Sequence, residues 1–212
     1  MIRSGALNTL FGAFDVSAVL WTIWQQKQAI NDQQRELQEQ RFDSSFVQLL
    51  SYPRETRAEL HYRNIHGIET KGRIAIRNAT IDAIDLVIER NNHDMTYLNN
   101  RSAVGDMYRN AVHSGADEFL GPYFRILFNI LRHIHDDKFI SEPSKIEYGN
   151  IVRAQLGDSE ISLLALNELM TESGCLTFYI EHFRMLRYMP EGPMKNLAQR
   201  FYGKEAFESR ND

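Results

Sequence analysis

The stretch EFLGPYFRILFNILRHIH, residues 118–135, carries the strongest helical pattern in the chain. Its large apolar side chains recur at intervals of three and four residues. They are Leu120, Tyr123, Phe124, Leu127, Leu131 and Ile134. Because this spacing puts all six on one face of an α-helix, other elements must cover that face. The stretch therefore predicts a helix at the centre of a folded domain.

Segments on both sides show the same helical period, and none alternates convincingly as a strand does. Helices are predicted over residues 73–90, 104–112, 146–156, 160–172 and 178–186. The predicted core face of the first consists of Ile74, Ile81, Ile84 and Ile88. Glu160 is placed to cap the start of its own helix. The predicted fold class is all-α, an irregular helical bundle without a sheet.

The N-terminal residues differ from the rest in composition. Residues 7–24, LNTLFGAFDVSAVLWTIW, contain one charged side chain, Asp15, and end in Trp21 and Trp24. The run is as long as the roughly 17 to 25 residues that cross a bilayer. Tryptophans are typical of the interface where such a helix ends, although a charge within it is costly. We predict a transmembrane helix over residues 7–24, with a buried core helix as the alternative.

A strongly polar segment, QQKQAINDQQRELQEQR, follows at residues 25–41 and predicts a solvated stalk helix. Ile23, Ile30 and Leu37 recur every seven residues, but the positions between them are not apolar. The pattern therefore favours weak self-association of copies of the chain rather than a long coiled coil. The expected domain layout is an apolar segment 1–24, the stalk 25–41, a helical domain 42–190 and a polar tail 191–212. Pro53 is expected to end the helix that enters the domain.

Composition excludes several classes of protein. The 212 residues carry a net charge of −4 with a pI near 6.0, which gives no sign of nucleic-acid binding. The single cysteine, Cys175, can form neither an intrachain disulfide nor a thiolate zinc cluster. The sequence contains no Walker loop, G-x-G-x-x-G, H-E-x-x-H or G-x-S-x-G motif. We therefore expect no recognisable enzyme active site and no cofactor.

Two weaker patterns have a chemical interpretation. The run His133–Asp137 resembles a metal site, but histidines two residues apart diverge on a helix, so a solvated helix end is expected and no metal is predicted. Arg54 or Arg57 with His61 has the arginine–histidine spacing of HEPN-type ribonucleases, which are also all-helical. A soluble HEPN-like ribonuclease of a defence or toxin system is therefore the alternative function.

A set of polar residues lies within the predicted helices and is the more informative pattern. Arg125, Asn129 and Arg132 share one helix face, Asn150 and Arg153 a second, and Glu160 and Asn167 a third. A buried charge needs a partner. Either the arginines form a structural network with Glu160 and Glu181, or they form an anion-binding or partner-binding patch. We expect Arg153 to be structural and Arg125 to lie nearer a functional surface.

Several of these residues fall in motifs of one protein family. The segments are Gly121-Pro122-Tyr123-Phe124-Arg125, then Tyr148-Gly149-Asn150-Ile151-Val152-Arg153-Ala154-Gln155-Leu156 with Glu160, Leu163, Leu164 and Asn167, and finally Phe178, Ile180, Glu181, Phe183 and Leu186. Together they resemble the phage abortive-infection proteins of the AbiC-like type over residues 119–190. The candidate binding residues are Tyr123, Arg125, Asn150, Arg153, Gln155, Glu160 and Asn167. Where the family commonly has a capping serine, this chain has Gly157.

The resemblance implies a bacterial anti-phage defence protein that harms or halts the infected cell, and it implies no catalytic mechanism. Family members often begin with two membrane helices and a polar helix, and residues 7–41 resemble the second membrane helix and that stalk. The expected location is the bacterial inner membrane with the helical domain in the cytoplasm, and a cytoplasmic location is the alternative. The expected partners are the membrane, through residues 7–24, and a phage or host protein. An interaction protein without a defence role is a further alternative.

Overall fold

The computed structural model describes residues 3–64, 66–89, 95–170 and 176–208, with no account of the side chains of residues 3–15, 89, 95–96 and 113–119. Contacts divide the chain into two compact units, Met1–Ser45 and Phe46–Asp212. Gly174 and Cys175 lie outside the described residues.

One helix, α1 (Arg3–Leu49), accounts for the first unit and runs into the start of the second. It covers the predicted apolar segment and the predicted stalk without a break, because no glycine or proline occurs between Gly12 and Pro53. The side chains of residues 16–24 are all exposed, including Trp21 and Trp24. The rings of these two tryptophans lie 5.3 Å apart.

The prediction of a transmembrane helix over residues 7–24 is not supported. Within the part of the chain that the structure describes, no helix combines the length and the apolar character needed to cross a bilayer. Of the predicted segment, only residues 16–24 have described side chains. Asn8, Asp15 and Thr22 bring polar groups into the run and lower its mean hydropathy. The inner-membrane location that depended on this helix is likewise not supported.

The second unit is built from short helices, which confirms the all-helical expectation. Its helices are α2 (Ser51–Glu59), α3 (Gly72–Ile84), α4 (Met95–Leu98), α5 (Arg101–Tyr108), α6 (Ser114–Asp136), α7 (Glu142–Arg153), α8 (Asp158–Glu168), α9 (Leu176–His182) and α10 (Pro193–Ala198). Two π-helical turns, Asp85–Glu89 and Arg109–His113, extend α3 and α5, and a 3₁₀ turn covers Lys204–Ala206. Pro53 has no N–H to donate to the carbonyl of Leu49, and α1 ends at Leu49, so the helix that enters the domain ends there as predicted. Pro53 lies in the first turn of α2, where proline removes no helical hydrogen bond.

A small hairpin between α2 and α3 corrects the expectation that no sheet is present. Strands β1 (His61–Arg63) and β2 (Glu69–Lys71) pair antiparallel, with Tyr62 opposite Thr70. The turn is closed by Asn64, whose side-chain oxygen accepts the backbone N–H groups of His66 and Ile68. Gly67 supplies the positive φ of 78° that this turn requires. Strands of three residues are too short for an alternating pattern to appear in the sequence.

The core of the second unit forms around α6, as its amphipathic pattern predicted. All six residues of the predicted face are buried, and α2, β1, α7 and α9 pack against this helix. Helix α8 is different, because every residue from Glu160 to Glu168 is buried. It packs against α3, α5 and α10. The domain therefore has one helix with a single buried face and a second helix that is enclosed on all sides.

The core face predicted for residues 73–90 is wrong at Ile74 and Ile81, although Ile88 is buried as predicted. Ile74 and Ile81 are 63% and 52% exposed, and the buried side is formed by Ala75, Ile76, Ala79, Thr80 and Ala83. Small side chains on that side allow α3 to approach α8 closely, and this close approach outweighs the larger apolar area of the isoleucines. Phe178, predicted as a core residue, is likewise 52% exposed, whereas Ile180, Phe183 and Leu186 are buried.

The segment predicted as a polar tail packs onto the domain. The hydroxyl of Tyr202 donates to the carbonyl oxygen of Ala165 at 2.6 Å. The backbone N–H of Gly203 donates to Glu181 at 2.8 Å, and that of Leu186 to the carbonyl of Ala206 at 3.1 Å. The compact unit therefore continues beyond residue 190. The apolar residues that pack this segment onto the domain are few and have no regular spacing.

Candidate functional site

A buried charged cluster joins α2, α6 and α8. The Nε of Arg57 lies 2.8 Å from Oε1 of Glu160, and both side chains are more than nine-tenths buried. The hydroxyl of Tyr123 donates to the same carboxylate oxygen. The second oxygen, Oε2, accepts the backbone N–H of Gly157 at 2.8 Å, so Glu160 also caps α8 as expected. One carboxylate therefore ties three helices together.

The cluster raises the pKa of both Arg57 and Tyr123. Burial, followed by the charge of Glu160, raises the pKa of the Tyr123 phenol far above its ordinary value. Burial alone would lower the pKa of the Arg57 guanidinium, but Tyr123 and Glu160 outweigh it and raise that pKa. Arg57 is thus a permanent cation and Tyr123 a neutral donor. General acid–base catalysis needs a group that exchanges protons near neutral pH, and neither Arg57 nor Tyr123 is such a group.

Strong alkali should destabilise the second unit through its buried tyrosines. Burial raises the pKa of Tyr62, Tyr123 and Tyr202, so their phenols stay protonated in the folded protein when those of the unfolded chain ionise. Below about pH 10 the phenols are protonated in both the folded and the unfolded protein, and their contribution to the free energy of unfolding is fully present. Above it, the free energy of unfolding should fall by up to about 1.4 kcal/mol per pH unit for each tyrosine.

Urea unfolding followed by circular dichroism at about pH 9 and about pH 11 measures this slope. Tyr62→Phe should remove one of its three contributions, since the Tyr62 hydroxyl donates to Asp82 at 2.6 Å in a buried position. The exposed Tyr52 provides the control, because Tyr52→Phe should leave the slope as it is. A slope that Tyr62→Phe does not reduce would show that the buried phenols are not its source.

Beside this cluster lies a pocket of about 510 Å³. Its lining comes from α2, from the start of α3 and from the chain after α7: Arg54, Arg57, Ala58, Gly72, Arg73, Ala154 and Gln155. The side-chain oxygen of Gln155 accepts from Nε and Nη2 of Arg54 at 3.1 and 3.0 Å. The backbone oxygen of Gln155 accepts from Nη2 of Arg57 at 2.9 Å. A single residue thus positions two of the three arginines in the pocket wall.

Arg153 is buried, but its partners differ from those expected. Its guanidinium donates to the carbonyl oxygens of Phe183 and Arg184 at 3.1 and 3.2 Å and to Oδ1 of Asn150 at 2.8 Å. Glu160 and Glu181, the predicted partners, are engaged elsewhere. Burial lowers the pKa of Arg153 from its ordinary value. Arg184 has a positive φ of 52°, so Arg153 holds the chain after α9 in a strained turn.

The remaining predicted residues lie away from the pocket lining. Arg125 is exposed on α6, together with Asn129 and Arg132. Asn167 is buried on α8. Its neighbour Glu168, which the sequence did not single out, is fully buried and accepts from Thr177 at 2.8 Å, with Arg101 at 3.6 Å. The seven predicted residues are therefore distributed over several sites, and only Gln155 lines the pocket.

The described histidines do not form a metal-binding cluster. No group of three or more histidine, cysteine or acidic side chains suitable for a metal ion occurs there. His135 faces His182 with ring centroids 5.3 Å apart, in an aromatic cluster with Phe178. His61 lies 3.2 Å from Glu69 on the hairpin and is not among the residues that line the pocket with Arg54 and Arg57. The ribonuclease interpretation of the arginine–histidine spacing stays a prediction.

The comparison with known families concerns the second half of the chain. Residues 115–194 match the family model described as "Putative phage abortive infection protein". No curated protein and no solved structure matches the chain. The family match confirms the resemblance inferred from the motifs around Tyr123, Arg153 and Glu160. It covers Gln155 in the pocket wall but not the three pocket arginines, which precede it in the chain.

Proposed function

We propose, from the match of residues 115–194 to the phage abortive-infection family, that this chain is an anti-phage defence protein. In this proposal it limits phage propagation by harming or halting the infected cell. The family match is the observation that carries the proposal. It spans α7, α8 and α9, together with Tyr123 and Glu160 of the buried cluster.

The helical domain, in this proposal, acts by recognising a molecule that the infection produces or alters. The support is the construction of the pocket. Gln155 holds Arg54 by its side chain and Arg57 by its backbone, so the pocket wall is organised before any ligand arrives. Arginines that are positioned in advance lose less conformational freedom on binding, which favours affinity. The exposed arginines of α6 are a second surface that a phage or host protein could contact.

A plaque assay tests the proposal most directly. Cells that express the full chain should show fewer plaques than cells with an empty vector, for at least one phage of a diverse panel. Infected at high multiplicity, the same cells should stop growing or lyse early rather than survive, because abortive infection sacrifices the infected cell.

Two variants make the assay specific for the folded domain. Glu160→Ala, which removes the carboxylate of the buried cluster, should abolish protection. Ser102→Ala, at an exposed position, should retain it. Protection that is absent across the panel would contradict the proposal, and protection that persists unchanged in Glu160→Ala would show that it does not depend on the buried cluster.

A further inference from the structure

We propose that the pocket lined by Arg54, Arg57 and Arg73 binds a small molecule bearing a polyphosphate group, of the nucleotide class. This inference names the ligand class for the recognition step of the proposed function and rests on it for its biological meaning. The binding itself is argued from charge, backbone and size.

The pocket wall carries more positive charge than its neighbours neutralise. Arg57 is paired with Glu160 at 2.8 Å. Arg54 donates to the neutral amide of Gln155. Among the described residues, neither Arg54 nor Arg73 forms an ion pair. Two of the arginines that line the pocket therefore have no ion-pair partner, and the planar donor geometry of a guanidinium suits pairs of phosphate oxygens.

The backbone contributes in the same direction. Helix α3, 13 residues long, begins at Gly72 in the pocket lining. Its N-cap residue, Lys71, makes no side-chain capping bond, and its first turn contains no acidic side chain. The N-terminus of a helix carries a partial positive charge and unsatisfied N–H groups, both of which favour a phosphate. Arg73 lies in that first turn, so the side chain and the helix dipole act on the same anion.

The size of the pocket and the net charge of the protein both favour a small ligand over a long nucleic acid. A volume of about 510 Å³ lies within the roughly 300 to 1,000 Å³ of small-molecule sites. A long nucleic acid would need an extended basic surface, whereas the chain as a whole carries a net charge of −4. The described lining holds two alanines and no aromatic ring on which a base could stack. The phosphates should therefore dominate recognition, and affinity should increase with their number.

Titration calorimetry on the full chain, without divalent cations, tests this order. ATP and inorganic tripolyphosphate should both bind, AMP more weakly, and adenosine not measurably. If tripolyphosphate binds as tightly as ATP, the pocket recognises the phosphates alone. If ATP binds more tightly, the nucleoside contributes as well. Tripolyphosphate and ATP that both fail to bind at millimolar concentration would overturn the proposal.

Matched arginine variants locate the site. Arg73→Gln should weaken ATP binding by about tenfold to a hundredfold, the range expected for one hydrogen-bonded charge. Arg77→Gln is the control, since Arg77 is exposed on the same helix but is not part of the lining. Gln155→Ala, which releases Arg54, should also weaken binding. Equal losses in Arg73→Gln and Arg77→Gln would show non-specific attraction to the surface and refute the pocket.

Binding and defence can fail separately. A chain that protects against phage but binds none of these probes would leave the defence proposal standing and refute this one. A chain that binds ATP in the pocket but protects against no phage would do the reverse.

Discussion

Replacing Glu160 by alanine should lower the free energy of unfolding by about 3 to 5 kcal/mol, because the guanidinium of Arg57 would remain buried without its counter-charge. The hydroxyl of Tyr123 and the N–H of Gly157 would lose their acceptor at the same time. Domains of this size are stable by only about 5 to 15 kcal/mol. The loss is therefore a large part of the total, and the variant should unfold at a much lower urea concentration.

Partial changes to the same cluster separate its components. Tyr123→Phe keeps the ion pair and removes one hydrogen bond to a charged group, so it should cost about 1.5 to 3 kcal/mol. Arg57→Met combined with Glu160→Met should recover part of the loss, since no charge is then buried. Glu147→Ala is the control, because Glu147 is an exposed carboxylate on α7. If Glu160→Ala lost no more stability than Glu147→Ala, the cluster would not be a structural centre.

Gly105→Ala should be the second most damaging change, although alanine normally favours a helix over glycine. A β-carbon at residue 105 would overlap the carbonyl oxygen of Leu169 and lie 2.8 Å from its carbonyl carbon and 3.0 Å from Cα of Met170. All three atoms belong to the backbone, so no side chain can rotate away. Helix α5 would have to move away from the end of α8, and overpacking of this kind costs about 1 to 3 kcal/mol or more.

Two further variants give this prediction a scale. Ser102→Ala lies on the same helix at an exposed position and should change stability by no more than about 0.5 kcal/mol. Gly149→Ala would bring a β-carbon against the ring of the buried Phe183, so it should also destabilise, by displacing a side chain where Gly105→Ala displaces backbone. Thermal unfolding by circular dichroism ranks the three. A Gly105→Ala protein that melts at the parent temperature would mean that α5 and α8 are not in such close contact.

Periodic patterns in the sequence predicted the helices but not always their buried faces. Helix α6 was predictable because one face is buried and the other is solvated, which produces a clear 3.6-residue period. Helix α8 is enclosed on all sides, so its sequence shows little amphipathic period. The face of α3 was misassigned because packing selected the alanines over the larger isoleucines. Side-chain size alone does not predict which face of a helix meets a close neighbour.

Partners distant in sequence were the harder part of the site. Glu160 was identified as a capping residue and as a candidate partner for an arginine, but no local pattern favoured Arg57 over Arg153 as that partner. Arg73 had no distinguishing local pattern, because its relation to Arg54 depends on how α2, α3 and the end of α7 meet. A pocket built from three elements has no signature in a single stretch of chain. The hairpin that connects two of those elements was too short to predict.

Both tryptophans of the protein, Trp21 and Trp24, lie in the exposed part of α1, and their rings are 5.3 Å apart. Ultraviolet emission excited near 295 nm therefore originates entirely from the first compact unit. A wavelength shift or quenching of that emission reports on the surroundings of α1 alone, without any added label. The unit from residue 46 onward contains tyrosines but no tryptophan, so none of this emission originates in it. The chain thus carries a built-in optical probe for one unit and leaves the other to be followed by circular dichroism.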